Sequence, residues 1–133
     1  MIMDSLKAYV FVGLGSALGG IGRLWVSTIL ARRWGEAFPW GTLAVNVTGS
    51  FLIGLFVGLT GPEGRWPVSR PVTLFFVSGI CGGYTTFSAF SLQTLQLARD
   101  GHWLLAGGNI LLSVALCLGA ALAGYLTGQI SNR

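Results

Sequence analysis

The stretch GGYTTFSAF, Gly82–Phe90, lies within a long apolar run where a membrane-spanning helix would be expected to continue. It opens with two glycines and a tyrosine, and continues with two threonines, a serine and two phenylalanines. Together with Gly79, the glycines are expected to weaken a helix at this point, since glycine destabilises helix interiors. The stretch therefore predicts a helix that is broken close to the middle of a membrane span.

The composition supports a membrane setting. The 133 residues are 53% hydrophobic and only 9% charged, and the mean hydropathy is +0.71. A soluble domain usually carries about a quarter charged residues, and a core of this size cannot hide so much apolar surface from water. We therefore predict a multi-pass protein of the cell membrane.

Four runs are long enough to cross the hydrocarbon as helices, because each exceeds the roughly 20 residues that a crossing needs. They cover residues 8–31, 40–60, 71–98 and 104–130. The short connections between them are rich in Gly, Pro, Arg and Trp, which mark turns and interfacial anchors. We predict one all-α membrane domain over residues 1–133, with four transmembrane helices.

The basic residues are almost evenly divided between the two membrane faces. Arg23 lies within a span and is set aside. One face holds Lys7, Arg65, Arg70 and Arg133, and the other holds Arg32, Arg33 and Arg99. The positive-inside rule needs a clear bias to fix one topology, so this balance permits both orientations. Two oppositely oriented copies would then pair like an inverted repeat. The alternative is that another determinant fixes a single orientation.

Two polar stripes follow helical spacing. The second span carries Thr42, Asn46 and Ser50 at every fourth position, and the fourth span carries Asn109, Ser113 and Cys117 in the same way. Such residues commonly hold membrane helices together by hydrogen bonds. The alternative is that the stripes line a path for a polar solute, and the predicted break favours that interpretation. GxxxG pairs at Gly15 with Gly19, and at Gly54 with Gly58, predict close helix packing.

A break in the third span has chemical consequences. Non-helical backbone at membrane depth must be buried in protein or line a water-filled cavity. Its freed carbonyls can hold a cation, and the new helix start offers N–H groups to an anion. Beyond the break, Phe87, Phe90 and Thr94 share a helix face. Phenylalanine edges are electropositive and can meet a small anion, although the two rings can equally serve packing alone.

Three motifs in order carry a resemblance to a known family. They are GGIGRLW at residues 19–25, GTLAVNVTGSF at 41–51 and GICGGYTTFSAF at 79–90. The chain resembles the Fluc (CrcB) family of fluoride channels over essentially its whole length. The resemblance implies a passive channel that exports fluoride down its electrochemical gradient and reduces fluoride toxicity. It also implies an antiparallel, dual-topology homodimer with two pores and a structural sodium ion at its centre.

The resemblance assigns roles to residues on both sides of the break. The backbone carbonyls of Gly82 and Thr85 correspond to the sodium ligands. Phe87 and Phe90 correspond to the phenylalanines whose ring edges line the pores, with both chains contributing to each pore. Asn46 corresponds to the pore asparagine of the second helix.

Three further residues complete the assignment. Arg23 corresponds to an arginine of the first helix that faces an aqueous vestibule, although its position also allows simple snorkelling to the interface. Asn109 and Ser113 belong to the polar track of the fourth helix. Two positions depart from the family pattern: Ala89 stands where a threonine is common, and Tyr84 stands where the residue is often aliphatic.

Rival functions have less support in the sequence. A dual-topology multidrug exporter or a proton-coupled antiporter needs a titratable carboxylate within the membrane. Asp4, Glu36, Glu63 and Asp100 all lie in the N-terminal tail or in loops. A non-conducting scaffold would explain the polar stripes but not the break.

We predict no enzyme activity, since no nucleophile–base pair or phosphate loop occurs. Cys81 and Cys117 form no CxxC pair, and are expected to be buried thiols without a redox or metal role.

Overall fold

The computed structural model describes residues 2–61, 64 and 66–132, and these residues form helices joined by short turns. Within that part of the chain no strand occurs, which confirms the predicted all-α class. Glu63, Arg65 and Arg133, which entered the charge arguments, lie outside the described residues. The elements are α1 (Ile2–Trp34), α2 (Trp40–Thr60), α3 (Arg70–Thr73), a π-helix (Leu74–Cys81), α4 (Gly82–Tyr84), α5 (Phe87–Arg99) and α6 (Trp103–Ser131).

Four helical stretches are long and apolar enough to cross a membrane. They are Ser5–Trp34, Trp40–Thr60, Arg70–Arg99 and Trp103–Ser131, and each contains the corresponding run found in the sequence. The third stretch combines α3, the π-helix, α4 and α5, and it is interrupted at Thr85 and Thr86. The predicted four spans with a broken third helix are therefore confirmed.

Glycines with positive φ end two of the helices. Gly35 follows α1 with φ 77°, and its N–H donates to the Ala31 carbonyl over 2.8 Å. Gly101 follows α5 with φ 81°, and its N–H donates to the Ala98 carbonyl over 3.1 Å. Both are left-handed caps that glycine adopts without steric cost. Because of these caps, two of the three connections between spans are tight turns.

The second and fourth spans pack through glycine, as the GxxxG spacing predicts. A methyl group added at Gly54 would overlap the Ala121 carbonyl oxygen and lie 2.9 Å from its carbon. A methyl group added at Gly58 would lie 3.1 Å from the Gly128 Cα. The backbones of α2 and α6 thus touch along two helical turns, which is the packing that small residues allow in membranes.

The glycines of the third span serve packing rather than the break. A methyl group added at Gly15 of α1 would lie 2.8 Å from the Gly79 Cα, and one added at Gly83 would lie 2.8 Å from the Ser16 Cα. Gly82 has helical dihedral angles, φ −64° and ψ −37°. The prediction that these glycines break the helix is wrong, because they stay helical. Gly79 and Gly83 instead let α1 approach. The backbone leaves the helix at Thr85 instead.

A π-helix leads into the break. It spans Leu74–Cys81, and at its end the Gly82 N–H reaches back to the Val77 carbonyl, five residues earlier. π-helices are rare, and they are frequently found at functional sites. No motif in the sequence predicted this one.

Candidate functional site

The break consists of two residues in extended conformation. Thr85 has φ −84° and ψ 158°, and Thr86 has φ −154° and ψ 112°. Asn46 of α2 satisfies both polar backbone groups of Thr86. Its Oδ1 accepts from the Thr86 N–H over 2.7 Å, and its Nδ2 donates to the Thr86 carbonyl over 3.1 Å. Asn46 thereby acts on the break as a neighbouring β-strand would.

Two backbone N–H groups that an intact helix would use are diverted at this point. In an α-helix the N–H of residue i pairs with the carbonyl of residue i−4. The Thr86 N–H would then pair with Gly82, but it donates to Asn46. The Ala89 N–H would pair with Thr85, but it donates to the Thr86 hydroxyl over 3.1 Å. The carbonyls of Gly82 and Thr85 therefore lack their helical donors.

These are the two carbonyls that the resemblance assigns to sodium. Sodium is held in other membrane proteins by carbonyl oxygens of unwound helices. Gly82 is exposed on the surface of the single chain and Thr85 is half-buried, so both are within reach of an ion. The residues present therefore fit such an ion.

A cavity of about 480 Å³ lies beside the break. It is mostly apolar, with a few polar groups at its wall. The two predicted stripes meet here, because Asn46 and Ser50 come from α2 while Ser113 and Cys117 come from α6. The other two stripe residues lie elsewhere. Thr42 lines a second cavity of about 360 Å³ at the end of α1, and Asn109 is buried.

The two phenylalanines have different environments. Both line the larger cavity, and their ring centroids are 5.2 Å apart with the planes tilted by 49°. Phe90 is 9% exposed, whereas Phe87 is 78% exposed. The predicted shared face is therefore observed. However, the Phe87 ring projects from the chain, and its surroundings must come from lipid or from another chain.

A hydrogen-bonded relay joins α6 to α5 behind the cavity. The Ser113 hydroxyl donates to Asn109 Oδ1 over 3.3 Å, and Asn109 Nδ2 donates to Thr94 Oγ1 over 2.8 Å. The Thr94 hydroxyl donates in turn to the Phe90 carbonyl over 2.7 Å. Asn109 is 1% exposed and holds the helices together. Ser113 is the member of the relay that borders the cavity.

Arg23, like Asn109, is a predicted site residue that does not line the cavity at the break. Arg23 is partly exposed. Within the described part of the chain it forms no ion pair. It lies one turn beyond Gly19, whose added methyl group would approach the Tyr84 N–H nitrogen to 2.7 Å. Because residues four apart share a helix face, Arg23 belongs to the face of α1 that turns towards the third span.

Thr86 is a residue of the candidate site that the sequence did not single out. It is 9% exposed, it caps α5 with its hydroxyl, and its backbone is the group that Asn46 binds. A helix-capping signal was available, since threonine is a favoured residue before the first helical position. The signal was not used, because the break was predicted at the upstream glycines and not at Thr86.

The fold and the site define a small four-span membrane protein with a broken third helix beside a mostly apolar cavity that has a few polar groups at its wall. The chain belongs to the CrcB family. Residues 10–125 match the family described as CrcB-like protein, Camphor Resistance (CrcB). The resemblance inferred from the three motifs is thus confirmed.

Curated relatives cover almost the whole chain. The Fluoride-specific ion channel FluC of Paramagnetospirillum magneticum is 54% identical over 128 residues, which are 96% of this chain and 100% of the relative. The protein of the same name from Methylocella silvestris is 52% identical over 125 residues, 94% of this chain and 95% of the relative. That from Opitutus terrae is 52% identical over 121 residues, 91% of this chain and 92% of the relative.

Proposed function

We propose that this chain is a fluoride-selective passive ion channel of the cell membrane. It exports fluoride down its electrochemical gradient and so reduces fluoride toxicity. The observation that carries the proposal is the cavity at the break. Among the described residues, its wall combines hydroxyl groups and phenylalanine rings with no acidic side chain. Relatives that are about half identical are named fluoride-specific ion channels. The chain is a channel, not an enzyme.

Selectivity follows from the kind of donors that face the ion. Fluoride is small and a strong hydrogen-bond acceptor, and it must exchange water for groups on the wall. The Ser113 hydroxyl is suited to this, because its bond to Asn109 is long at 3.3 Å and the hydroxyl can rotate. The ring edges of Phe87 and Phe90 are electropositive because of the ring quadrupole, so they attract an anion without carrying a fixed charge. Weak binding spread over several groups lets the ion leave again.

The positions of the carboxylates disfavour cation export. Glu36 lies in the connection between α1 and α2, and Asp100 lies in the turn after α5. Both are exposed. Proton-coupled transport needs a titratable group within the membrane, and in the part of the chain that the structure describes no acidic side chain lines the cavity at the break. This supports passive conduction rather than a proton-driven exporter.

The working unit is proposed to be an antiparallel, dual-topology homodimer. Extended backbone at membrane depth requires cover by protein or water, yet Gly82 is exposed on the single chain and Phe87 is 78% exposed. A second copy facing the break supplies that cover and brings the Phe87 ring into a pore shared between chains. The near-even charge count is compatible with copies in both orientations.

A structural sodium ion is proposed at the centre of this dimer. Gly82 and Thr85 from the two copies would offer four carbonyl oxygens. When bound, such an ion would supply positive charge that compensates the dipoles of these carbonyl groups. The proposal is supported by the diversion of the Thr86 and Ala89 N–H groups, which leaves those oxygens free. Arg23 is proposed to face an aqueous vestibule, where an unpaired guanidinium attracts anions towards the pore.

Fluoride efflux from liposomes tests the channel. Purified protein is reconstituted in vesicles loaded with potassium fluoride or potassium chloride, and valinomycin starts electrogenic flow. We expect rapid fluoride release that waits for the ionophore, with chloride retained. Phe87→Ile and Phe90→Ile should each slow fluoride release at least about tenfold, since the ring edges are lost. Phe11→Ile is the control, because that ring packs edge-on against Phe75 in another part of the chain.

The opposite results are equally clear. If folded, dimeric protein releases neither anion, the channel proposal is wrong. If both phenylalanine variants conduct like the parent, the rings only pack. Dual topology is tested separately with His102→Cys in a background lacking Cys81 and Cys117. A membrane-impermeant maleimide should label about half of the protein from each side of the membrane, whereas labelling from a single side would exclude a mixed orientation.

A further inference from the structure

Tyr84 forms a second attachment between the break and α2. Its hydroxyl lies 3.0 Å from the Thr48 hydroxyl. Its ring lies between Gly22 of α1 and Gly49 of α2. A methyl group added at Gly22 would be 3.5 Å from one edge of the ring, and a methyl group added at Gly49 would be 3.2 Å from the other edge. The methyl group of Thr85 also contacts Gly49. The break segment is therefore seated between α1 and α2.

The direction of the Tyr84–Thr48 hydrogen bond follows from what each hydroxyl can donate. Thr48 has one hydroxyl proton, and it donates to the Ala44 carbonyl over 2.7 Å. The Thr48 oxygen can then only accept, so the Tyr84 hydroxyl is the donor. A bond of this kind requires the phenol, since an aliphatic or phenylalanine side chain in the same slot has no proton to give.

We propose that Tyr84 is a positioning residue for the cation site, an inference that rests on the proposed sodium ion. Tyr84 lies between Gly82 and Thr85 in the chain, one peptide away from each of the two planes that carry these carbonyls. Fixing its side chain therefore restricts the short segment that joins them. Asn46 fixes the far side of the break through Thr86. With both attachments present, the carbonyls are held in place before an ion arrives, which lowers the cost of ordering them on binding.

The test measures sodium affinity rather than conduction. Purified dimer in detergent is heated in mixtures of sodium chloride and N-methylglucamine chloride at constant ionic strength. Stabilisation by a bound ion grows with its concentration and reports its affinity. Tyr84→Phe keeps the ring in its slot but removes the proton. We expect the sodium concentration for half-maximal stabilisation to rise about threefold to tenfold, the range for losing one net hydrogen bond.

Two further variants sharpen the test. Thr48→Val removes the acceptor and should raise the half-maximal sodium concentration similarly. Combining it with Tyr84→Phe should add little, because the two residues share one bond. The matched control is Tyr125→Phe, which removes the hydroxyl that Gln129 Nε2 contacts over 3.3 Å on α6. It should leave the sodium dependence unchanged.

The outcomes separate this proposal from the proposed function. If Tyr84→Phe lowers the melting temperature equally at every sodium concentration, Tyr84 is structural and the positioning role is overturned. If the parent shows no sodium dependence, the cation site and this role both fail, while fluoride efflux from liposomes still decides the channel by itself. A shifted sodium midpoint with an unshifted Tyr125→Phe control supports the proposal.

Discussion

Asn46 is the residue whose removal should change the break most directly. In Asn46→Ala the Thr86 N–H and carbonyl both lose their partner. The N–H can turn back to the Gly82 carbonyl, as in a continuous α-helix, but the Thr86 carbonyl has no such substitute. An unsatisfied buried group costs about 1 to 3 kcal/mol, so we expect the free energy of unfolding to fall by about that amount. The helix would also close over one of the proposed sodium ligands.

Unfolding by sodium dodecyl sulfate in mixed micelles, followed by tryptophan fluorescence at fixed protein concentration, measures this loss. Thr127→Val is the control, because it removes an exposed hydroxyl that donates to the Ala123 carbonyl within α6. It should change the free energy of unfolding by less than about 0.5 kcal/mol. If Asn46→Ala is no more destabilising than Thr127→Val, the two bonds to Thr86 do not hold the break, and the reasoning fails.

Asn46→Asp distinguishes shape from charge at the same position. The new carboxylate keeps an acceptor for the Thr86 N–H but places an oxygen against the Thr86 carbonyl, where the amide nitrogen is now 3.1 Å away. It also introduces negative charge beside the cavity. We expect fluoride efflux to be suppressed in folded protein, and an unchanged rate would exclude Asn46 from the surroundings of the ion path.

Three other perturbations have clear expected results. Gly54→Ala should lower the free energy of unfolding by about 1 to 3 kcal/mol in the same assay, because its methyl group would meet the Ala121 backbone. The control is Gly119→Ala, whose methyl group meets nothing within 4 Å and which should be neutral or mildly stabilising. Thr86→Val should weaken sodium-dependent thermal stabilisation, because the Ala89 N–H loses the Thr86 hydroxyl and can donate to the Thr85 carbonyl instead. Thr86→Ser keeps the capping hydroxyl and should leave this stabilisation unchanged. Ser113→Ala should slow fluoride efflux from liposomes without loss of the dimer, and an unaffected rate would show that its hydroxyl faces no ion.

The membrane architecture could be predicted because its signals are local. Each span is an uninterrupted apolar run, so length alone identifies it. The GxxxG spacing on α1 and α2 likewise predicts close backbone contact, and Gly15 and Gly54 make that contact. The polar stripes could be predicted from their four-residue period, and Asn46 and Ser113 do face one cavity.

The location of the break could not be predicted in the same way. Glycine content pointed to Gly82 and Gly83, whereas the backbone leaves the helix at Thr85 and Thr86. The deciding partner is Asn46, which is 40 residues away in the sequence. A local propensity argument has no access to such a contact, since tertiary hydrogen bonds override the tendency of single residues. The Tyr84 attachment to Thr48 was hidden for the same reason.

The break also connects the two proposed ion sites. Thr86 caps α5, and α5 begins with Phe87 and carries Phe90 one turn later. The same residue gives its N–H to Asn46 and so releases the Gly82 carbonyl. A shift of Thr86 would therefore move the cation ligands and the phenylalanine rings together. One short backbone segment thus positions both the cation ligands and the phenylalanine rings. Substitutions on α2 that loosen the break should therefore affect sodium affinity and fluoride conduction in parallel, even where the altered side chain touches neither ion.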